Sequence, residues 1–127
     1  MTVADSDVLI DALGGREPAR STIAQAIETG ALVTTAVTAF ELLSGAGSDR
    51  VRLAIEDLLG ALETLPVDAD AARAAAAVRR ELDALGTPIG MADYLTAGVC
   101  LTRSATLLTR NRTHFERVRG LKLQPIG

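Results

Sequence analysis

The hydrophobic positions along the chain switch repeatedly between two patterns, one typical of strands and one typical of helices. Short runs rich in apolar and β-branched residues are followed by longer stretches in which apolar residues return every three or four positions. The short runs predict strands at Val3–Ala4, Ala31–Thr34, Glu63–Leu65, Ala105–Thr109 and Leu121–Leu123. Strands that alternate with helices indicate an α/β fold with a central parallel sheet and helices on both of its faces.

The stretches between the strands predict helices, several of which begin or end at residues that favour those positions. Asp7 can cap the first helix, Pro18 opens the second, and Asp68 precedes an Ala-rich helix that Gly86 can end. With no internal repeat and no linker, the pattern predicts a single domain over residues 1–127. The predicted helices are Val8–Leu13, Pro18 to about Gly30, about Ala39–Leu43, about Asp49–Ala61, Asp68 to Leu85, about Met91–Leu101 and Arg112–Val118.

Polar side chains lie just beyond the ends of the predicted strands. Asp5 ends the first strand, Glu41 comes early in the helix after the second strand, and Asn111 follows the fourth strand. Asp93, in the first turn of its helix, can face them. Because the carboxyl ends of parallel strands share one edge of a sheet, these side chains are expected to meet there. Their mutual repulsion would be relieved by a divalent cation, and such oxygen ligands suit Mg²⁺ or Mn²⁺.

A purely structural interpretation of the same polar residues is also open. Asp and Asn commonly cap helices, and acidic residues are favoured in a first helical turn. Thr38 and Glu41 have the spacing of a capping box. Asn111 has the position of an N-cap for the helix that follows it. Caps of this kind would gather at the same edge of a parallel sheet without any metal.

Composition and charge narrow the classes of protein that fit. Hydrophobic residues make up 48% of the chain and charged residues 23%, as in ordinary soluble domains. The single cysteine, Cys100, excludes an internal disulfide and lies in an apolar run where a buried thiol is expected. No secretory signal and no run long enough to span a bilayer is evident, so a cytoplasmic protein without a membrane segment is expected.

The net charge of −3 is unevenly distributed along the chain. Residues 1–100 carry 15 acidic and 7 basic side chains, whereas residues 101–127 carry 1 acidic and 6 basic side chains. A basic segment on an acidic protein suggests an anionic partner at one face. The alternative is a solvated segment with scattered charges. The candidates for phosphate contacts are Arg110, Arg112, Arg117 and Arg119.

Four segments of the chain, in this order, resemble the PIN-domain ribonucleases, and among them the VapC-type toxins of bacterial toxin–antitoxin pairs. They read VADSDVLI at residues 3–10, TTAVTAFEL at 34–42, IGMAD at 89–93 and LTRNRTHF at 108–115. Each motif alone is weak, but the four together are specific and extend over the whole chain. The resemblance implies a three-layer α/β/α fold, a metal-dependent endoribonuclease acting as a toxin, a homodimer and a cognate antitoxin partner.

The resemblance also implies roles for individual residues. Asp5, Glu41 and Asp93 match the family's acidic positions and are the expected metal ligands and catalytic residues. Asn111 is also expected to be catalytic; it stands where many relatives carry Asp, although Asn also occurs in this branch. The expected secondary residues are Ser6, which matches a small hydroxyl residue of the family, Asp7, whose position more often holds Ser or Asn, and Thr109.

The chemistry of RNA hydrolysis agrees with this set of residues. A carboxylate-held Mg²⁺ can supply a water of lowered pKa and bind phosphate oxygens, and a spare carboxylate can accept the proton of that water. In-line attack would leave a 5′-phosphate and a 3′-hydroxyl. The motifs are compatible with transfer, ribosomal or messenger RNA, with one or two metal ions, and with any class of antitoxin.

Two other functions compete with this interpretation. The DSDVL segment at residues 5–9 also resembles the first motif of haloacid-dehalogenase-type phosphatases, which need a lysine near the phosphate and a later Asp pair. Lys122 is the only lysine, and no such pair is evident. A catalytically silent binding module would have a broken acidic set, whereas here the set is complete. His114, as the only histidine, excludes a mechanism that needs two, and it is expected to pack beside Phe115.

Overall fold

Five short strands form one sheet at the centre of the molecule. The computed structural model describes residues 1–126. All five strands are parallel, which confirms the predicted fold class. The strand nearest the N-terminus lies in the middle of the sheet. The strands are β1 Thr2–Ala4, β2 Leu32–Thr35, β3 Glu63–Leu65, β4 Thr106–Leu108 and β5 Lys122–Gln124, in the spatial order β3-β2-β1-β4-β5.

Seven helices connect the strands. Asp68 caps the Ala-rich helix as predicted, since its carboxylate accepts a hydrogen bond from the Ala71 N–H at 2.9 Å, and Gly86 ends that segment with a φ of +70°. The helices are α1 Ser6–Leu13, α2 Ala19–Glu28, α3 Ala36–Ser44, α4 Asp49–Gly60, α5 Ala69–Ala84, α6 Met91–Thr102 and α7 Arg112–Phe115. The last of these is shorter than predicted. No helix within residues 1–126 is long and apolar enough to cross a bilayer.

Two of the predicted helix starts were wrong. Helix α1 begins at Ser6 and its N-cap is Asp5, not Asp7. Helix α3 begins at Ala36, and the cap is the hydroxyl of Thr35, which accepts from the Thr38 N–H at 3.1 Å. The predicted capping box of Thr38 and Glu41 therefore does not form. In both cases the cap is the last residue with extended backbone before the helix, so at most one residue separates the strand from the helix.

Alternate residues of the strands face two separate hydrophobic cores. Val3 and Leu107 point into a core formed with α5 and α6, whereas Ala4 and Leu108 point into a core formed with α1 to α4. This alternation follows from the period of two along a strand. The result is a three-layer α/β/α arrangement in which helices cover both faces of the three central strands.

Helices α5 and α6 approach each other closely at a glycine. A Cβ atom at Gly98 would overlap the backbone carbonyl oxygen of Ala71 and lie 2.9 Å from both the Cβ and the backbone nitrogen of Ala75. The small residues of α5 therefore allow close packing against α6. This contact holds α6, and with it Asp93 in its first turn, against one face of the sheet. Cys100 of the same helix is fully buried, as expected.

Candidate active site

Asp5 lies at the carboxyl end of the central strand and is the most buried acidic residue near this edge. Only 6% of its surface is exposed. Its Oδ1 accepts from the Ser6 N–H at 2.8 Å, and its Oδ2 accepts from the Thr109 hydroxyl at 2.8 Å. Burial, together with the nearby charges of Asp7 and Asp93, raises the pKa of Asp5 to about 6 despite these hydrogen bonds. The site therefore holds a carboxylate whose charge nothing among the described residues neutralises.

Thr109 connects the first and fourth strands at this edge. Besides donating to Asp5, its Oγ1 accepts from the Asn111 N–H at 3.0 Å and lies 3.3 Å from Asp7 Oδ2. Asp7 Oδ2 in turn accepts from the Arg110 N–H at 3.0 Å. Asp7 Oδ1 is buried and has no hydrogen-bond partner among residues 1–126. Burying a carboxylate oxygen without a hydrogen-bond partner costs folding free energy, and a ligand that supplied the missing partner would recover that free energy.

Asp93 approaches the same edge from the start of α6, as predicted. Its Oδ2 lies 3.3 Å from Nδ1 of His114, and the same ring nitrogen lies 3.0 Å from Nδ2 of Asn111. The expectation that His114 packs beside Phe115 was wrong. Phe115 is fully buried, and its neighbour in the single turn of α7 faces the opposite way, into the site. A lone histidine three residues after Asn111 was the only sequence signal for this position.

Asn111 has the backbone position of an N-cap but does not use its side chain as one. No capping hydrogen bond is made by its side chain, which contacts His114 instead. The structural interpretation of Asn111 as merely a cap is therefore not supported. Asp5, by contrast, is both a cap of α1 and a member of the acidic cluster, so the two interpretations of the polar residues are compatible at that position.

Glu41 is less closely associated with the other acids than the sequence suggested. It is exposed on α3 and lines a neighbouring groove, and its charge is not among those that raise the pKa of Asp5. Over residues 1–126, no three His, Cys, Asp or Glu side chains converge tightly enough to form a complete metal-binding set. The acids whose charges act on Asp5 are Asp7 and Asp93.

The four candidate arginines all contact the protein itself. Arg110 pairs with Asp11 of α1, with Nε 2.7 Å from Oδ2. Arg112 and Arg119 pair with exposed or half-exposed glutamates at 3.4 and 3.2 Å, and Arg117 donates to the carbonyl oxygen of Pro88 at 3.0 Å. Arg110 is the arginine that directly follows Thr109, and more than half of its side chain is exposed.

An apolar groove of about 370 Å³ runs beside the site between α1, α3 and α4. Ile10, Leu13 and Val51 leave 50%, 38% and 46% of their surfaces exposed. Arg16 and Glu41 also line it, so both charge signs are present along an otherwise apolar surface. Exposed apolar side chains that are contiguous and bordered by charge are typical of surfaces that bind a partner.

The sequence matches the family model described as the PIN domain over residues 2–121. It is 30% identical over 102 residues to the tRNA(fMet)-specific endonuclease VapC of Salmonella typhimurium and 32% identical to that of Shigella flexneri, in each case over 77% of both chains. The fold is similar to the VapBC complex of Salmonella typhimurium bound to DNA, with a TM-score of 0.87, 26% identity and coverage of 98% and 96% of the two chains. It is also similar in fold to VapBC2 of Rickettsia felis, with a TM-score of 0.88, 20% identity and coverage of 99% and 98%.

Proposed function

Because the chain belongs to the PIN domain family and is similar to VapC endonucleases, we propose that it is the endoribonuclease toxin of a toxin–antitoxin pair and that it acts with a divalent metal ion in the cytoplasm. The observation that carries the proposal is the buried Asp5 carboxylate at the carboxyl end of the central strand, beside Asp7 and Asp93. Such an unneutralised acidic cluster, at the edge where α/β sheets bind their ligands, suits a cation and a phosphate.

The donor set fits Mg²⁺ or Mn²⁺. Mg²⁺ in proteins is usually held by one or two carboxylates, while water and phosphate oxygens fill the remaining positions, so a complete three-ligand protein set is not needed. Asp5 and Asp93 would hold the ion, with Asn111 and the more distant Glu41 completing the site. The unpartnered Oδ1 of Asp7 supports this proposal, because a cation or its water would satisfy it. When bound, the ion would lower the pKa of a water and neutralise charge on the phosphate.

The residues around Asp5 hold it in one orientation. The Ser6 N–H fixes one carboxylate oxygen and the Thr109 hydroxyl fixes the other, and Thr109 is itself held by the Asn111 N–H. A ligand carboxylate that is oriented before the substrate arrives loses little entropy on binding. Thr109 and Ser6 are therefore proposed to act through Asp5, and Asp7 to accept a proton or bind water at its free oxygen.

A cleavage assay on purified protein tests this proposal. Wild-type protein should cut RNA with Mg²⁺ or Mn²⁺ and stop cutting in EDTA, and the products should carry 5′-phosphates. Initiator tRNA is the first substrate to assay, because the two relatives are named for it. Asp93→Ala should remove nearly all cleavage while the protein remains folded. No cleavage of any RNA would favour the silent binding module instead, and cleavage that persists in EDTA would contradict the proposed metal dependence.

We propose that the antitoxin occupies the apolar groove between α1, α3 and α4. The supporting observations are its exposed apolar lining and the presence in that lining of Glu41, one of the acids predicted for the active site. A helix or extended segment with apolar anchors would fit such a groove, and a basic side chain on it could reach the acidic cluster.

The groove proposal is tested with two exposed residues of the same helix. Val51→Glu, within the groove, should weaken binding of a co-expressed antitoxin by more than tenfold. Leu53→Glu, 55% exposed and outside the groove lining, should not. Expression of the chain alone should arrest bacterial growth, and the antitoxin encoded beside it should restore growth. Equal binding by the two variants would exclude this groove as the antitoxin site.

We also propose that the toxin is a homodimer. Phe40 and Met91 each leave 70% of their surface exposed, and neither belongs to the lining of the groove. Large exposed apolar side chains of this kind support a second interface. Light scattering should give twice the chain mass for the wild type, and Phe40→Glu should shift the protein towards the monomer. A wild-type monomer at micromolar concentration would contradict the proposal.

A further inference from the structure

The only histidine of the chain lies between two residues of the proposed metal site. His114 Nδ1 is 3.0 Å from Asn111 Nδ2 and 3.3 Å from Asp93 Oδ2. Asp93 comes from the start of α6 and Asn111 is the N-cap of α7, so this ring nitrogen connects its own helix to the start of α6. Less than half of the His114 side chain and about a quarter of the Asp93 side chain is exposed.

The backbone of His114 is held by the residues that follow it. Phe115, the next residue, is fully buried in the core beneath α5 and α6. Arg117, three residues further on, donates to the Pro88 carbonyl oxygen at 3.0 Å, which ties the end of α7 to the segment that leads into α6. These contacts fix the backbone that carries the imidazole, which faces the site.

We propose that His114 is a positioning residue, whose Nδ1 edge sets the separation and orientation of Asp93 and Asn111 for metal binding. This inference rests on the metal-dependent function proposed above. A carboxylate only accepts hydrogen bonds, whereas an amide presents either an oxygen or an NH₂ group. When Nδ1 carries no proton, it accepts from the Asn111 NH₂ group and leaves the amide oxygen to face the metal, whereas a protonated Nδ1 donates to Asp93 Oδ2 instead. Mutation of a residue that contacts a metal ligand without contacting the metal commonly lowers the affinity for the metal by about 10-fold or more.

Three substitutions of His114 distinguish positioning from other roles. His114→Ala removes the bridging nitrogen and should weaken Mg²⁺ binding, measured by calorimetry, by about 10-fold. His114→Asn places an amide atom where Nδ1 was, because both atoms are bonded to Cγ, and should restore most of that affinity. His114→Gln places its amide atom where Nε2 was and should not restore it. Thr113→Ala, an exposed neighbour in α7, is the matched control and should bind Mg²⁺ as the wild type does.

A spectroscopic measurement on the wild type does not depend on any variant folding. Since the chain contains one histidine, its imidazole nitrogen resonances are assigned without ambiguity. Addition of Mg²⁺ should shift the His114 Nδ1 resonance with the same midpoint as the calorimetric titration. At saturating Mg²⁺, His114→Ala should reduce kcat more than it changes KM for RNA, because it acts on the metal site and not on the bound substrate.

The possible outcomes separate this inference from the proposed function. Loss of Mg²⁺ affinity in the Ala and Gln variants, with recovery in the Asn variant, supports positioning by Nδ1. Four results would each overturn the inference while leaving the proposed ribonuclease activity intact. Two concern Mg²⁺ affinity: no change in the Ala variant, or recovery in the Gln variant but not in the Asn variant. The other two are an effect of His114→Ala confined to KM and an Nδ1 resonance that Mg²⁺ does not shift. A wild-type protein that binds no Mg²⁺ and cleaves no RNA would overturn both.

Discussion

Replacing the buried carboxylate of Asp5 by an amide should stabilise the metal-free protein while abolishing its activity. The pKa of Asp5 is raised from 3.8 to about 6 by burial and by its acidic neighbours, so the folded state resists its ionisation. Each unit of pKa shift corresponds to about 1.4 kcal/mol, and the shift therefore costs about 3 kcal/mol of folding free energy once Asp5 is ionised in both states. Asp5→Asn removes that cost without changing the size of the side chain.

The hydrogen bonds around Asp5 can adapt to the amide. Its oxygen can accept from the Ser6 N–H, as Oδ1 does now. Its NH₂ group can donate to Thr109 Oγ1, whose own proton can then turn to Asp7 Oδ2, 3.3 Å away. No buried polar atom need lose its partner, so the electrostatic gain is not offset by an unsatisfied group.

The pH dependence of the gain follows from the direction of the shift. Because the pKa is raised on folding, the cost is absent below about pH 3.8 and complete above about pH 6, so wild-type stability falls across this window. Urea unfolding in EDTA should therefore show Asp5→Asn more stable than wild type by about 1 kcal/mol at pH 4.5 and about 3 kcal/mol at pH 7.5. Asp57→Asn, at an exposed site on α4, should change stability by less than about 0.5 kcal/mol.

Addition of Mg²⁺ should narrow the difference between the two proteins, and at more than about 200 times its Kd for the wild type it should reverse their order of stability. A ligand at ten times its Kd stabilises the protein that binds it by about 1.4 kcal/mol, and the variant without the carboxylate should gain little. The variant should also fail to cleave RNA. If Asp5→Asn is no more stable than wild type in EDTA at pH 7.5, or if its advantage does not shrink towards pH 4.5, the electrostatic account of the site is refuted.

Three further changes test the site and its support. Asn111→Asp should lower the Mg²⁺ concentration needed for half-maximal cleavage if Asn111 reaches the metal, whereas superimposable Mg²⁺ titrations would remove it from the site. Arg112→Ala combined with Arg119→Ala should flatten the salt dependence of RNA affinity by about two units of slope, and an unchanged slope would assign both side chains to contacts within the protein. Gly98→Ala should lower the free energy of unfolding by about 1–3 kcal/mol, because its Cβ overlaps backbone of the facing helix, whereas Gly60→Ala, which has open space around it, should be neutral or slightly stabilising.

The parallel sheet and most of the helix bounds could be predicted from the sequence, because they depend on local patterns. The short apolar and β-branched runs at β1 and β4, the cap at Asp68 and the glycine at Gly86 each act within a few residues. The position of Asp5 and Asn111 at one sheet edge follows from the same reasoning, since parallel strands necessarily bring their carboxyl ends together. Four short motifs in a fixed order were sufficient to indicate the family.

The tertiary structure alone decided which of the polar residues at that edge touch. Asp7 lies against Thr109 and adds to the charge around Asp5, whereas Glu41, on the outer part of α3, turns towards the apolar groove. His114 faces Asp93 because Phe115 beside it is drawn into the core, and this follows from packing against α5 and α6, not from the spacing of the two residues. Side-chain contacts between distant segments depend on the positions of the helices on the sheet to within about 1 Å. Local sequence patterns do not specify those positions.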